Sequence, residues 1–225
     1  MKLNLVRYLL ILTAFIIIFF ATKYALANLS YLKVDSYLQR WQKNKSIEQV
    51  ALDDALTSVD RMLALHGHFP HYLNVAGKVY EWQAFKHLGD QPLYQRSLSQ
   101  ALDYYQQSTQ LRAHWPLTWI FMANIKANLK QFDDDFYYYV NQGMKYGPYT
   151  YQVNLQVAKF QLQYGEQLHQ LSRSVGSEQI KRALLNKSSR YNLLYYADAL
   201  HRVEPVCAVA KRHKIESILK HKLCQ

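Results

Sequence analysis

The sequence predicts an all-α chain: one apolar N-terminal helix that crosses a membrane once, followed by an array of helical hairpins. Three observations carry this. An almost purely apolar run extends from Tyr8 to Ala21, with basic residues ahead of it. From Ser46 onward, apolar residues recur at three- and four-residue spacing, the period of one helix face. Only 7 Gly and 5 Pro occur in 225 residues, too few for a many-turned β-sandwich, whereas the abundant Gln, Leu, Ala, Lys and Tyr suit helices.

The first thirty residues decide where the rest resides. Lys2 and Arg7 precede the apolar run, and Thr22, Lys23 and Ala25-Leu26-Ala27 follow it, the pattern of an export signal. Ala25 and Ala27 form an acceptable signal-peptidase site, which would free the chain after Ala27. Against cleavage, the run is long for an h-region of about 7–15 residues, and apolar character resumes at Tyr24, Leu26 and Leu29. A helix from about Leu5 to Leu26 spans a bilayer if Lys23 snorkels to the headgroups. The balance favours a retained anchor over residues 1–28, with 29–225 as one domain beyond it. No later run approaches the roughly 20 apolar residues of a second span. Lys2 and Arg7 favour a cytoplasmic N-terminus. In a bacterium this means a single-pass inner-membrane protein whose bulk is periplasmic.

The body then reads as successive helices. Leu52, Ala55, Leu56, Val59 and Leu63 form one stripe, and Tyr72, Leu73, Ala76, Val79 and Tyr80 a second. Ala101, Leu102, Tyr105, Ser108 and Leu111 form a third, Trp119, Met122, Ala123 and Ala127 a fourth, and Phe136, Tyr139 and Val140 a fifth. Breaks fall at Gly67/Pro70, Gly89 to Pro92, Trp115-Pro116 and Gly147-Pro148. Proline is tolerated in a first helical turn, so each of these prolines is expected to open a helix.

Pro116 and Pro148 lie about one repeat apart, near the 34-residue tetratricopeptide period. The unit between them carries Trp119, Met122 and Ala123, the turn Gln131-Phe132-Asp133, and a second helix ending near Tyr146. It resembles a tetratricopeptide repeat. The unit before it matches through Leu73, Ala76, Gly77 and Tyr80, then Ala101, Tyr105 and Ser108, but with about a dozen extra residues between its helices, around Lys86 to Ser97. A further hairpin opens at Pro148 with Tyr151 and Leu155 and then degenerates. The resemblance implies that small residues such as Ala76, Gly77 and Ala123 let paired helices approach, that Trp119 fills the space between them, and that the stack presents a groove for other chains.

Residues that could carry chemistry are few. No GxSxG, HExxH, Walker or GxGxxG pattern is present, and no cofactor is implied. His66, His68 and His71 share one turn and could ligate a metal, though a solvated turn accounts for them. Asp133, Asp134 and Asp135 sit where carboxylates cap a helix. Glu48, Asp53 and Asp54 spread along one helix without the facing geometry of a catalytic pair. Cys207 and Cys224 could close a loop of about 17 residues, worth about 3 kcal/mol in an oxidising compartment, or remain two buried thiols. The 19 Tyr and 4 Trp are an excess. Tyr137, Tyr138 and Tyr139 cannot all face the core, because consecutive helical positions point about 100° apart. Tyr137, Tyr138 and Trp82 are therefore interaction-surface candidates.

The net charge of +11 favours anionic partners: lipid headgroups, acidic glycans or nucleic acid, the last disfavoured by the compartment. The LLILTAFIIIFF anchor, the helical body and the HFPHYLNVAGKVYEW segment together resemble VpsP-type polysaccharide biosynthesis proteins. That resemblance implies a non-catalytic accessory or scaffold role in extracellular polysaccharide production or export, with partner proteins of the assembly machinery and no catalytic residues. The alternatives are a general periplasmic chaperone or cell-division adaptor, and, from another class, a glycan-cleaving helical enzyme.

Overall fold

The structure, a computed structural model, describes residues 2–225; Met1 and the side chains of residues 2–5, with them the Lys2 charge and Leu5, lie outside the described residues. Among the described residues the chain is all-α, with eleven helices, a closing 3-10 turn and no strand. Neighbouring helices pair as hairpins, α1 with α2, α3 with α4, α5 with α6 and α7 with α8, an arrangement compatible with a tetratricopeptide-like array. Two compact units share the chain, Met1–Arg112 and Ala113–Gln225.

The first unit holds α1 (Lys2–Asn44), α2 (Gln49–His66), α3 (Pro70–Lys86) and α4 (Gln91–Leu111). α1 is the one helix among the described residues that is long and apolar enough to cross a membrane. Its segment around Phe15, Ile17 and Phe19 is exposed on all sides, as no core helix would be. Burial begins at Ala27 and continues at Ser30, Val34 and Trp41, a face set by helical spacing. The helix does not break near residue 28. The apolar segment and the first packed helix are one helix of 43 residues, about 65 Å at 1.5 Å per residue. The 29–44 segment, which the sequence left unassigned, belongs to that helix and carries Tyr31, Val34, Leu38 and Trp41 into the core.

α3 and α4 pack at the contact marked by Gly77. The Tyr105 ring lies over it, so a Cβ on Gly77 would stand 2.5 Å from Tyr105 Cε1. Leu73, Ala76, Ala101 and Tyr105 are buried alongside, and Tyr80 stacks on Tyr104 at 5.5 Å. Tyr105 donates its hydroxyl proton to Glu81. The expected insertion between these helices is a correction. The extra residues are helical turns, and the loop is only residues 87–90. Asp90 caps α4 by accepting from the Leu93 N–H at 3.2 Å.

The second unit holds α5 (Pro116–Asn128), α6 (Asp134–Tyr146), α7 (Tyr151–Tyr164), α8 (Arg173–Leu185), α9 (Arg190–Ala199), α10 (Val203–Arg212) and α11 (Glu216–Leu219), with the 3-10 turn Lys222–Cys224. Trp119 and Ala123 are buried in the α5/α6 hairpin, and the Trp119 indole N–H donates to the Ala113 carbonyl at 2.6 Å. Asp133 caps α6 through the Phe136 N–H (3.1 Å) and accepts from Lys126 Nζ at 2.5 Å. Pro70 and Pro116 open their helices and Pro92 sits in the first turn of α4. Pro148 does not: α7 begins three residues later, with Thr150 as its cap residue and Pro148 in the preceding turn. Cys207 and Cys224 are joined by a disulfide, their Cα atoms 5.5 Å apart, tying α10 to the last turn.

Candidate functional site

The aromatic candidates separate. Tyr137 is buried, which corrects its reading as a surface residue: its ring joins Phe136 at 5.3 Å in the α6 core. Tyr139 is buried too, and Tyr138 alone of the three is exposed, its ring edge-on to Trp119 at 5.5 Å. The 100° step between neighbours sorts them this way. Trp82 is half-buried rather than presented for contact. It packs on Trp41 at 6.2 Å and Phe85 at 5.5 Å, with the Lys45 ammonium 5.9 Å from its ring.

The histidine turn is an aromatic cluster. His66 stacks on Phe69 at 5.2 Å and lies 4.6 Å from Tyr24, while His71 meets Tyr31 edge-on at 5.0 Å. Burial pushes the His71 pKa down, against the pull of Asp35. Among the described residues no group of three His, Cys, Asp or Glu side chains could hold a metal. Asp54 is engaged elsewhere: it accepts from Lys33 Nζ at 2.7 Å and from the Tyr37 hydroxyl at 2.6 Å, joining α2 to α1.

The best-equipped cleft lies between α7 and α8. It has a volume of about 460 Å³, within the range of small-molecule sites. The turn before α7 builds one wall. Gly147 permits it, because a Cβ there would stand 2.6 Å from Pro116 Cβ. The turn closes with the Thr150 N–H on the Gly147 carbonyl at 3.0 Å and leaves Tyr149 85% exposed, its ring open to a ligand. Tyr151 and Asn154 follow on the first turn of α7.

The opposite wall is α8, whose start is capped by Ser172 accepting from the Val175 N–H. It presents Glu178, Lys181 and Arg182. Arg182 is fixed at three points: Nε on Glu178 (2.9 Å), a terminal nitrogen on the Pro148 carbonyl (2.7 Å), and the guanidinium 5.3 Å from the Tyr149 ring centre. Lys181 meets the other Glu178 oxygen at 3.2 Å. The Arg182 hydrogen bond, the largest effect, outweighs burial and, helped by Lys181, holds the Glu178 carboxyl below its usual range. Glu178 is thus a clamped carboxylate, unlike the acid of raised pKa that glycoside hydrolysis requires. Two cations against one anion leave the wall net positive.

Asn154 also lines the cleft, but its side-chain oxygen is sealed from solvent and has no hydrogen-bond partner among the described residues. A buried amide oxygen without a partner costs about 1–3 kcal/mol. The exposed Tyr149 ring and the fixed Arg182 guanidinium together suit an anionic saccharide. None of these residues stood out in the sequence. Tyr149 beside Pro148 marks a turn, but Arg182 stands far along the chain with no local sign that it returns to the same place.

Compared with known proteins, the chain matches no protein-family model and no curated protein.

Proposed function

We propose that the chain is a membrane-anchored, non-catalytic accessory factor that holds an acidic saccharide outside the cytoplasm, in extracellular polysaccharide production of the kind implied by the resemblance to VpsP-type proteins. The observation that carries this reading is the α7/α8 cleft, where the exposed Tyr149 ring and the fixed Arg182 guanidinium meet. Tyrosine offers a sugar an apolar face and a polar edge, and guanidinium pairs with carboxylate. The apolar α1 supports attachment to a bacterial inner membrane, with partner proteins of the assembly machinery reached from the anchored body. The Cys207–Cys224 bridge supports an oxidising compartment, hence a cytoplasmic N-terminus and a periplasmic bulk. The glycan-cleaving alternative has less support, since the cleft lining holds one carboxylate and it is clamped as an anion.

Titration of the full chain in detergent with uronate oligosaccharides, followed by calorimetry, tests the reading. Saturable binding is expected, weakened about tenfold by Tyr149→Ala, in line with about 1.4 kcal/mol of lost ring contact. A neutral oligosaccharide that binds equally well, or a Tyr149→Ala protein that binds as the wild type does, would reject it.

A further inference from the structure

We infer that the groove between α1 and α2, where α1 leaves the membrane, binds one anionic phospholipid headgroup. The inference rests on the anchored reading of α1. It concerns a different site and a different ligand from the saccharide cleft.

The groove is placed by the hairpin. Asp54 near the start of α2 meets Lys33, and His66 at its end meets Tyr24, so α2 runs back along α1 toward the membrane. The cavity they enclose measures about 610 Å³. Its apolar wall is Leu26, Leu29 and Leu65, and Lys33 and Arg61 stand over it. A smaller cavity adjoins it through Ala64 and Leu65 and adds Lys23.

Depth fits a headgroup. About 20 helical residues cross the hydrocarbon, so a run starting near Tyr8 leaves it near Ala27. The headgroup layer adds about 5–7 Å on each side, or about four residues of helix, which ends close to Ser30 and within reach of Lys33 and Arg61. Leu26 and Leu29 are exposed at the hydrocarbon edge, where acyl chains begin.

Charge fits an anion. Neither Lys23 nor Arg61 forms an ion pair among the described residues, and Lys33 is the only one of the three that does. Among the described residues the carboxylate engaged there is Asp54, which accepts from Lys33 and Tyr37 and feels the Arg61 charge beyond ion-pair distance. If this flank faces the periplasm, the positive-inside bias gives no reason for cations on it. A lipid phosphate supplies one, at about 1 kcal/mol per surface cation. The Ser30 and Ser58 hydroxyls also line the groove, with their protons directed to helix carbonyls, leaving oxygens that accept from a glycerol headgroup.

The test is native mass spectrometry of the full chain, released from detergent micelles doped with phosphatidylglycerol or with phosphatidylcholine. One retained phosphatidylglycerol is expected, favoured about tenfold over phosphatidylcholine. Arg61→Gln should reduce that preference, and Lys23→Gln/Arg61→Gln should bring it near parity, with an unchanged thermal melt because neither side chain is in the core. Equal retention of the two lipids by the wild type, or full preference in the double variant, overturns the inference. Displacement of the lipid by millimolar glycerol 1-phosphate overturns it too, because the site would then recognise free phosphate. Carbonate extraction of membranes separates the two readings: a chain that washes off defeats the anchor and this inference together, whereas a retained chain without lipid preference defeats this inference alone.

Discussion

Helices α1 to α4 are 43, 18, 17 and 21 residues long, whereas α5 to α11 are 13, 13, 14, 13, 10, 10 and 4. Isolated helices below about 12–15 residues are marginal in water, so the two units are held differently. The first unit relies on long contact faces. Tyr31 stacks on Tyr72 at 5.6 Å, Trp41 meets Trp82 at 6.2 Å, and Gly77 lets α4 lie close on α3. The second unit adds point fastenings to a core built around Leu184, Leu193, Leu194 and Val206. Trp119 is tied to Ala113, the buried Lys126 to Asp133, and Arg190 to the Ser217 hydroxyl at 2.7 Å and the Leu185 carbonyl at 2.9 Å. A disulfide closes the shortest helices. Many weak contacts along a rod tolerate single losses better than a few strong ones between short pieces.

Trp119→Ala tests this most severely. Trp119 is 8% exposed and packs on Tyr138 and Tyr139. Its removal should cost about 3–5 kcal/mol, a large part of a stability of about 5–15 kcal/mol. Hydrogen exchange should accelerate through residues 116–146 before residues 49–111. Equal acceleration in both ranges would erase the distinction between the units. An unchanged melting midpoint would mean that the Trp119 contacts contribute nothing.

Breaking the disulfide comes next. A separation of 17 residues gives about 3 kcal/mol on the loop-entropy account. Cys207→Ser/Cys224→Ser should release α10, α11 and the final turn, seen as loss of exchange protection over residues 203–224. Thiol labelling of both cysteines in denatured, unreduced protein from cells would show that the bridge does not form there, and the point-fastening account of the C-terminus would fall.

Gly77→Ala sharpens the comparison from the other side. The new methyl would stand 2.5 Å from a fully buried Tyr105 ring that cannot swing away. Overpacking of this kind costs about 1–3 kcal/mol. The loss should be spread over the α3/α4 contact, with exchange in residues 70–111 rising modestly and uniformly. A neutral Gly77→Ala would show that α3 and α4 have slack, and that length, not close approach, holds the first unit.

Sequence disclosed the elements whose cause is local. Pro70 and Pro116 open helices because their missing N–H falls where none is needed, and the Ala76-Gly77 and Ala123 positions are small because helices meet there. It was silent where the cause is distant. The dozen residues after Lys86 look like an insertion until α3 and α4 are seen to lengthen together. Four chain reversals use Lys45, Lys130, His201 and Lys214 at φ of 52–55° in place of glycine. The glycine signal for helix ends is therefore missing at those four positions, while Gly77 and Gly143 serve helix contacts instead. Tyr137 was indistinguishable from Tyr138 without knowing which side α5 occupies. The cleft was hidden because Tyr149, Asn154 and Arg182 converge only through the α7/α8 pairing.

The smallest effect concerns Asp54, the carboxylate that ties α2 to α1. The Lys33 hydrogen bond, then that of Tyr37, hold its pKa below the usual carboxylate value. A lowered folded pKa contributes stability that is present above the unfolded pKa of about 3.9 and is lost as pH falls through the folded value. Tyr37 works at the opposite limit. Its bond to Asp54 raises its pKa, so its contribution is full below about pH 10 and is lost as pH rises through the raised value. The α1/α2 contact should therefore weaken below about pH 4 and again above about pH 10. Both partners in the ion pair are substantially exposed, with side-chain exposures of 50% and 37%, so screening limits the pair to about 0–1 kcal/mol. Asp54→Asn should lower the urea midpoint slightly at pH 6, by a difference that shrinks as pH falls through the lowered folded value of Asp54. A midpoint difference that does not shrink on acidification would assign the loss to packing rather than charge. The first unit would then be held by its faces alone, the sharper form of the contrast with the fastened second unit.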